Sequence, residues 1–137
     1  MTGPGSKEPL STPGFDGLVA VVDDDASVRR ALERLLGSLD IQCVTHHSGV
    51  EFLASSALHD VDCLLLDVHM PGLTGIEQLD AIRVAVSKLP IVLMTGRYDV
   101  DFAERASRAG VSGFLRKPFT ETELLEAIGV ATGELPG

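Results

Sequence analysis

The sequence has only two cysteines, Cys43 and Cys63, in 137 residues, too few for a disulfide framework or a cysteine-based zinc site. Each lies inside an apolar, strand-like segment, so both are read as small buried hydrophobes. No apolar run approaches the roughly 18 residues of a membrane-spanning helix. The N-terminus lacks a basic segment followed by a hydrophobic one, so no secretory signal is expected and the cytoplasm is the expected compartment. Positive charge is also short: 11 Lys and Arg face 20 Asp and Glu, a net charge of −9. That balance argues against direct contact with nucleic acid or an anionic membrane. The four histidines, His46, His47, His59 and His69, share no metal-ligand spacing, which points to surface or loop positions. There is no internal repeat and no low-complexity core.

What is present describes one soluble domain with tails. Hydrophobic residues make up 45% and charged residues 23%, a globular composition at the size of a single core. Residues 1–17 are rich in Gly, Pro, Ser and Thr with little periodicity and read as a flexible leader, 18–131 as the folded domain and 132–137 as a C-terminal tail. Within the domain, continuous apolar runs at 18–22, 41–45, 63–66, 91–94 and 113–115 alternate with helical patterns. Runs apolar at consecutive positions predict strands covered on both faces, as in a parallel sheet between helix layers.

Val28, Leu32, Leu35, Leu36 and Leu39 form one stripe at helical spacing, and Ile76, Leu79, Ile82 and Val86 form another. Ser48 with Glu51, Thr74 with Glu77 and Thr120 with Glu123 fit capping boxes at helix starts. A fourth helix fits 100–109, closed by Gly110. Strand and helix thus alternate about five times, which predicts an α/β doubly wound parallel sheet with right-handed crossovers.

In such sheets ligands bind beyond the carboxyl ends of the strands, near the point where strand order reverses. The first run continues into Asp23-Asp24-Asp25, the third into Asp67, the fourth into Thr95-Gly96, and the fifth is followed by Lys117-Pro118. Converging carboxylates repel unless a cation joins them or one is protonated. Mg2+ suits an all-oxygen site that pairs one or two carboxylates with a phosphate. Aspartate also forms aspartyl-phosphate intermediates. Asp67 is therefore the expected acceptor, with Asp67 and Asp24 on the metal, Asp23 reaching it through water, Lys117 as a point charge and Thr95 as a hydroxyl donor to the phosphate. Gly96 leaves room for the phosphoryl group.

Each residue also has a plainer reading. Asp67 alone would be a strand-end cap, and Asp23 and Asp24 could cap the first helix, although Asp25 or Ser27 could do so instead. Lys117 could be solvated and Thr95 a β-branched strand residue.

Val21-Val22-Asp23-Asp24-Asp25, Leu66-Asp67-Val68-His69-Met70-Pro71-Gly72, Met94-Thr95-Gly96 and Lys117-Pro118-Phe119 together resemble the motifs of two-component response-regulator receiver domains, in matching order and spacing. The resemblance covers 18–131. The stretch Thr95-Gly96-Arg97-Tyr98-Asp99-Val100 is further similar to the FixJ-like group, whose receivers often precede a helix-turn-helix output domain. The resemblance implies a flavodoxin-like (βα)5 fold of strand order 2-1-3-4-5 and phosphorylation of Asp67 by a sensor histidine kinase or histidine phosphotransfer protein, with Mg2+ or Mn2+. It adds the backbone carbonyl of His69 as a metal ligand and a cis Lys117–Pro118 peptide.

The resemblance also implies a signalling switch rather than an enzyme, one that assists its own phosphorylation and dephosphorylation. In it Thr95 and the aromatic Phe114 respond to the phosphate and alter the surface of the fourth helix, fifth strand and fifth helix. That surface would signal to an output domain, a partner protein or a second copy in a phosphorylation-dependent homodimer. Phe114 lacks the tyrosine hydroxyl of many relatives, so a switch here would rest on packing, and plain core is its other reading. The His69 side chain, two residues after Asp67, is expected to tune phosphoryl lifetime.

Two other functions compete. A phosphorylation-independent interaction domain on the same fold usually loses acidic or lysine positions, and all are intact here. An aspartate-nucleophile phosphatase of the haloacid dehalogenase type needs a second aspartate at the position of His69, and no substrate-covering cap is evident.

Overall fold

The computed structural model describes residues 15–68, 75–96 and 100–134. Along the chain lie β1 (Leu18–Val22), α1 (Ala26–Ser38), β2 (Gln42–His46), α2 (Gly49–Leu53), a 3-10 turn (Leu58–Asp60), β3 (Cys63–Asp67), α3 (Gly75–Ala85), β4 (Ile91–Thr95), α4 (Val100–Arg108), β5 (Gly113–Arg116) and α5 (Glu121–Thr132). The strands pair in parallel in the order β2-β1-β3-β4-β5, the expected doubly wound arrangement.

The continuous apolar runs have the cause inferred for them. Successive strand side chains point to opposite faces, and helices cover both. Ala20, Val22, Leu64, Leu66, Ile91 and Leu93 join one core with Phe52 of α2, Leu79 and Ile82 of α3 and Ala106 of α4. Val19, Val21, Leu65, Val92 and Met94 join the other with Leu32 and Leu36 of α1 and Leu124 and Ile128 of α5. The stripes at 28–39 and 76–86 therefore face the sheet, although the side chain of Ile76 lies outside the described residues. Burial of the two cysteines holds their thiols in the neutral form, with Cys43 pushed up to about 11 and Cys63 to about 12, as a packing role requires.

Several boundaries differ from the apolar pattern. β3, β4 and β5 each run one residue further, to Asp67, Thr95 and Arg116, because backbone pairing does not require an apolar side chain: Asp67 lies opposite Met94 and Thr95 opposite Arg116. β2 begins one residue later than 41–45, since the amide of Ile41 donates to the Leu36 carbonyl at 2.9 Å and closes the end of α1. Phe15, assigned to the leader, is only 8% exposed and packs with Val19 and Leu36, so the core extends upstream of Leu18.

Thr120 and Glu123 form a complete capping box. Ser48 caps α2 by accepting from the Glu51 amide, but Glu51 reaches back to the His47 amide at 2.8 Å rather than to Ser48, so that box is incomplete. The box proposed at Thr74 lies outside the described residues. Gly110 follows α4 at φ 83°, the left-handed conformation that glycine adopts most easily.

Leu65 lies on the central strand and is fully buried, whereas Val84 on α3 is 88% exposed. Leu65→Ala is expected to lower unfolding free energy by about 2–5 kcal/mol in urea denaturation, with Val84→Ala staying within about 0.5 kcal/mol.

Candidate functional site

Two neighbouring strand ends assemble the acidic group. β1 ends at Val22 and turns into Asp23-Asp24-Asp25, while β3, paired with β1 so that Val22 lies opposite Leu66, ends at Asp67. Carboxylate oxygens of Asp23, Asp24 and Asp67 come within 4.8 Å of one another. Asp23 and Asp67 are 1% and 4% exposed, and Asp24 faces solvent.

Local structure keeps these carboxylates from being spent on the helix. The N-cap of α1 is Asp25, which accepts from the amide and hydroxyl of Ser27 at 2.9 and 2.7 Å. Those hydrogen bonds hold its carboxyl below the ordinary range. Asp23 Oδ1 accepts from the Asp25 amide at 3.0 Å, which fixes the turn and leaves Oδ2 facing the site. Because Asp25 is the N-cap, the capping reading of Asp23 and Asp24 does not apply to α1.

Lys117 follows β5 and crosses to the acidic group. Its Nζ lies 2.9 Å from Asp23 Oδ2 and 3.4 Å from Asp67 Oδ1. Burial disfavours the ammonium, but the hydrogen bond to Asp23 and the negative charges of Asp67 and Asp23 outweigh it, and the pKa rises. The solvated reading of Lys117 is therefore replaced by an ion-paired one. The Lys117–Pro118 peptide is cis.

Thr95 is 2% exposed at the end of β4, beside β3, and its carbonyl accepts from the Lys117 amide at 2.7 Å. Among the described residues, a Cβ built on Gly96 would meet no atom within 4 Å, so their packing does not impose glycine there. Phe114 is partly buried on β5, against the core that includes Leu93 and Ala106. His69, with both its expected roles, lies outside the described residues.

Two neighbours escaped the sequence reading. Arg29 Nη1 donates to the Asp23 carbonyl at 2.7 Å and braces the acidic turn from α1; a spacing of six residues matches no helix or strand period and gave no signal. His46, expected on the surface or in a loop, is the last residue of β2. Its side chain is only 12% exposed, its ring packs against Phe52 at 5.6 Å, and its carbonyl accepts from the Asp23 amide at 3.1 Å. Among the described residues its Nε2 has no hydrogen-bond partner.

The donor set is all oxygen, two of its three carboxylates are buried, and their joint charge exceeds what one ammonium cancels. Such a set fits a hard divalent ion, Mg2+ or Mn2+, better than a soft one.

Comparison with known proteins gives the same picture. The family described as "Response regulator receiver domain" matches residues 19–129. Nodulation protein W of Bradyrhizobium diazoefficiens is 40% identical over 116 residues, which cover 84% of this chain and 51% of that protein. The transcriptional regulatory protein FixJ of Azorhizobium caulinodans is 35% identical over 115 residues, covering 84% of this chain and 54% of its own. The chain thus spans about half the length of these relatives. Among solved structures, chemotaxis protein CheY4 of Vibrio cholerae superposes with a TM-score of 0.77 at 28% identity, over 83% of this chain and 97% of that one. With its doubly wound sheet, its acidic group at the strand ends and a family match across 19–129, the chain belongs to the response regulator receiver domain family.

Proposed function

We propose that this receiver domain is a phosphorylation-driven signalling switch with Asp67 as its acceptor. The observation that carries the reading is the Lys117 ammonium set between buried Asp23 and Asp67, 2.9 and 3.4 Å away. In the transfer, an Asp67 carboxylate oxygen attacks the phosphorus of a phosphohistidine on a sensor kinase or phosphotransfer protein. The new O–P bond forms as the P–N bond breaks, and the imidazole leaves with the electron pair. Little acid–base chemistry is required, so the residues act by positioning and by neutralising charge.

Lys117 offsets charge on one phosphoryl oxygen, and the Thr95 hydroxyl donates to another. Gly96 leaves its open side to the incoming group. Asp23, Asp24, Asp67 and the backbone carbonyl of His69 would hold Mg2+ or Mn2+, which when bound supplies the remaining positive charge. Phosphorylation adds about −1.5 to −2 charges. Thr95 and Phe114 then carry the change to the face formed by α4, β5 and α5, where an output domain, a partner protein or a second copy reads it. The domain works in the cytoplasm, beside its kinase, and contacts neither nucleic acid nor membrane itself.

Incubation with Mg2+ and acetyl phosphate, followed by intact mass measurement, is expected to show one phosphoryl adduct on the wild type and none on Asp67→Asn. An unmodified wild type, or an equal adduct on the variant, would overturn the assignment. His69→Ala is expected to form the adduct but to change its first-order decay; equal decay rates would remove the side chain from that role.

Lys117 also gives the domain a pH signature. Its folded pKa lies above the ordinary 10.5, so its stabilisation is fully present below about 10.5 and lost as pH rises through the folded value. Urea denaturation between about pH 9 and 12 should therefore show a loss in the wild type that Lys117→Met lacks. Parallel curves for the two proteins would contradict it.

A further inference from the structure

At the opposite pole of the sheet, where β4 and β5 begin, a cleft of about 450 Å³ opens between the connection from α3 to β4 and the connection from α4 to β5. Its ionisable lining is Arg83, Lys88 and Arg108, with no carboxylate. In a chain where acids outnumber bases 20 to 11, such an all-cationic lining runs against the composition. Among the described residues none of the three belongs to an ion pair.

Arg83 is the organised member. Nη1 donates to the carbonyls of Ser87 and Leu89 at 3.1 and 2.6 Å, and Nη2 to the carbonyl of Gly110 at 2.9 Å. These bonds fix the guanidinium plane across the gap between the two connections. A guanidinium has five N–H donors, so among the described residues two are left uncommitted. Partial burial already disfavours its charge and lowers its pKa, an effect a bound anion would reverse. Lys88 and Arg108 are exposed at the rim, and the Ser87 and Ser112 hydroxyls add neutral donors. Leu89 and Ala131 give the cleft an apolar wall.

We propose that this cleft is an anion-binding site, separate from the acidic centre, that takes a small phosphorylated ligand with the phosphate on Arg83, Lys88 and Arg108. Held in place by three carbonyls, the guanidinium keeps its remaining donors for a phosphate oxygen, and the two rim cations add charge without ordering the core. The volume falls within the usual range for small-molecule pockets, about 300–1,000 Å³. Because Lys88 comes from the connection between α3 and β4 and Arg108 ends α4, an occupant ties the last turn of α4 to the start of β4.

The test is a two-dimensional amide NMR titration of the whole chain at about 0.15 M salt, where weak surface attraction is screened. Pyrophosphate and adenosine diphosphate are the two probes, and divalent ions are removed so that the acidic centre cannot contribute. Saturable shifts at Ser87, Leu89, Gly110 and Ser112, with a Kd below about 1 mM, are expected. Saturation by pyrophosphate alone identifies the phosphate group as what is recognised, and distinctly tighter binding of the nucleotide identifies a nucleoside phosphate as the source. Lys88→Glu with Arg108→Glu, both at exposed positions, should weaken binding at least about tenfold while leaving the remaining spectrum in place. No saturable shift at these amides with either probe, or the same affinity in the charge-reversed variant, would overturn the site. Neither result depends on phosphorylation of Asp67, so the two proposals fail independently.

Discussion

Lys117 is the cation on which the acidic centre depends. Two carboxylates withdrawn from water and a third within 4.8 Å make a charge density that an apolar sheet end cannot tolerate alone. One ammonium at 2.9 and 3.4 Å relieves part of it. The remainder keeps the site receptive to a further cation and holds Lys117 charged against its own burial. The same balance explains why the centre is conditional rather than inert. A fully neutralised cluster would be a structural ion pair, whereas this one is left anionic at the mouth of the sheet.

The scaffold makes that imbalance durable. β1, β3 and β4 are covered on both faces, so the chain cannot relax by moving a strand end without opening one of two cores. Asp67 and Thr95 are themselves rungs of the ladder, opposite Met94 and Arg116. The acidic turn is braced from three sides: the Asp23 amide donates to His46, its carbonyl accepts from Arg29, and its Oδ1 accepts from the Asp25 amide. Rigid support of this kind is what a site needs if charge, and not induced fit, is to do the recognition.

Much of this was legible in the residues, because the signals were local. Consecutive apolar runs reported strands buried on both faces, and Thr120 with Glu123 reported the start of α5. The acidic group followed from the rule that strand ends converge in a parallel sheet. What escaped was set by contacts distant in sequence or by backbone hydrogen bonds. Ile41 looks like strand but gives its amide to α1. Phe15 sits among leader-like residues yet fills a core position. His46 has no pattern of its own and acquires its place only because β2 lies beside β1 and Phe52 lies over it. The cationic cleft joins Arg83 to Gly110, 27 residues apart, and no periodicity announces such a pairing.

A connection between Thr95 and Lys117 sharpens how the centre would respond to phosphate. The Lys117 amide donates to the Thr95 carbonyl at 2.7 Å, so the two residues that would meet the phosphoryl oxygens also share a backbone bond. A phosphoryl group on Asp67, as proposed, would add negative charge that Lys117, already engaged with Asp23, could not balance alone. In the proposed response the Thr95 hydroxyl would supply a neutral donor, and a shift of its backbone would pass through that bond to the start of the segment leading into α5. Phe114 lies on β5, which leads into Lys117, opposite Leu93 and against the core that α4 helps to close. In the proposed switch, the path from charge on Asp67 to the face formed by α4, β5 and α5 would run through Thr95, its backbone bond to Lys117, and β5.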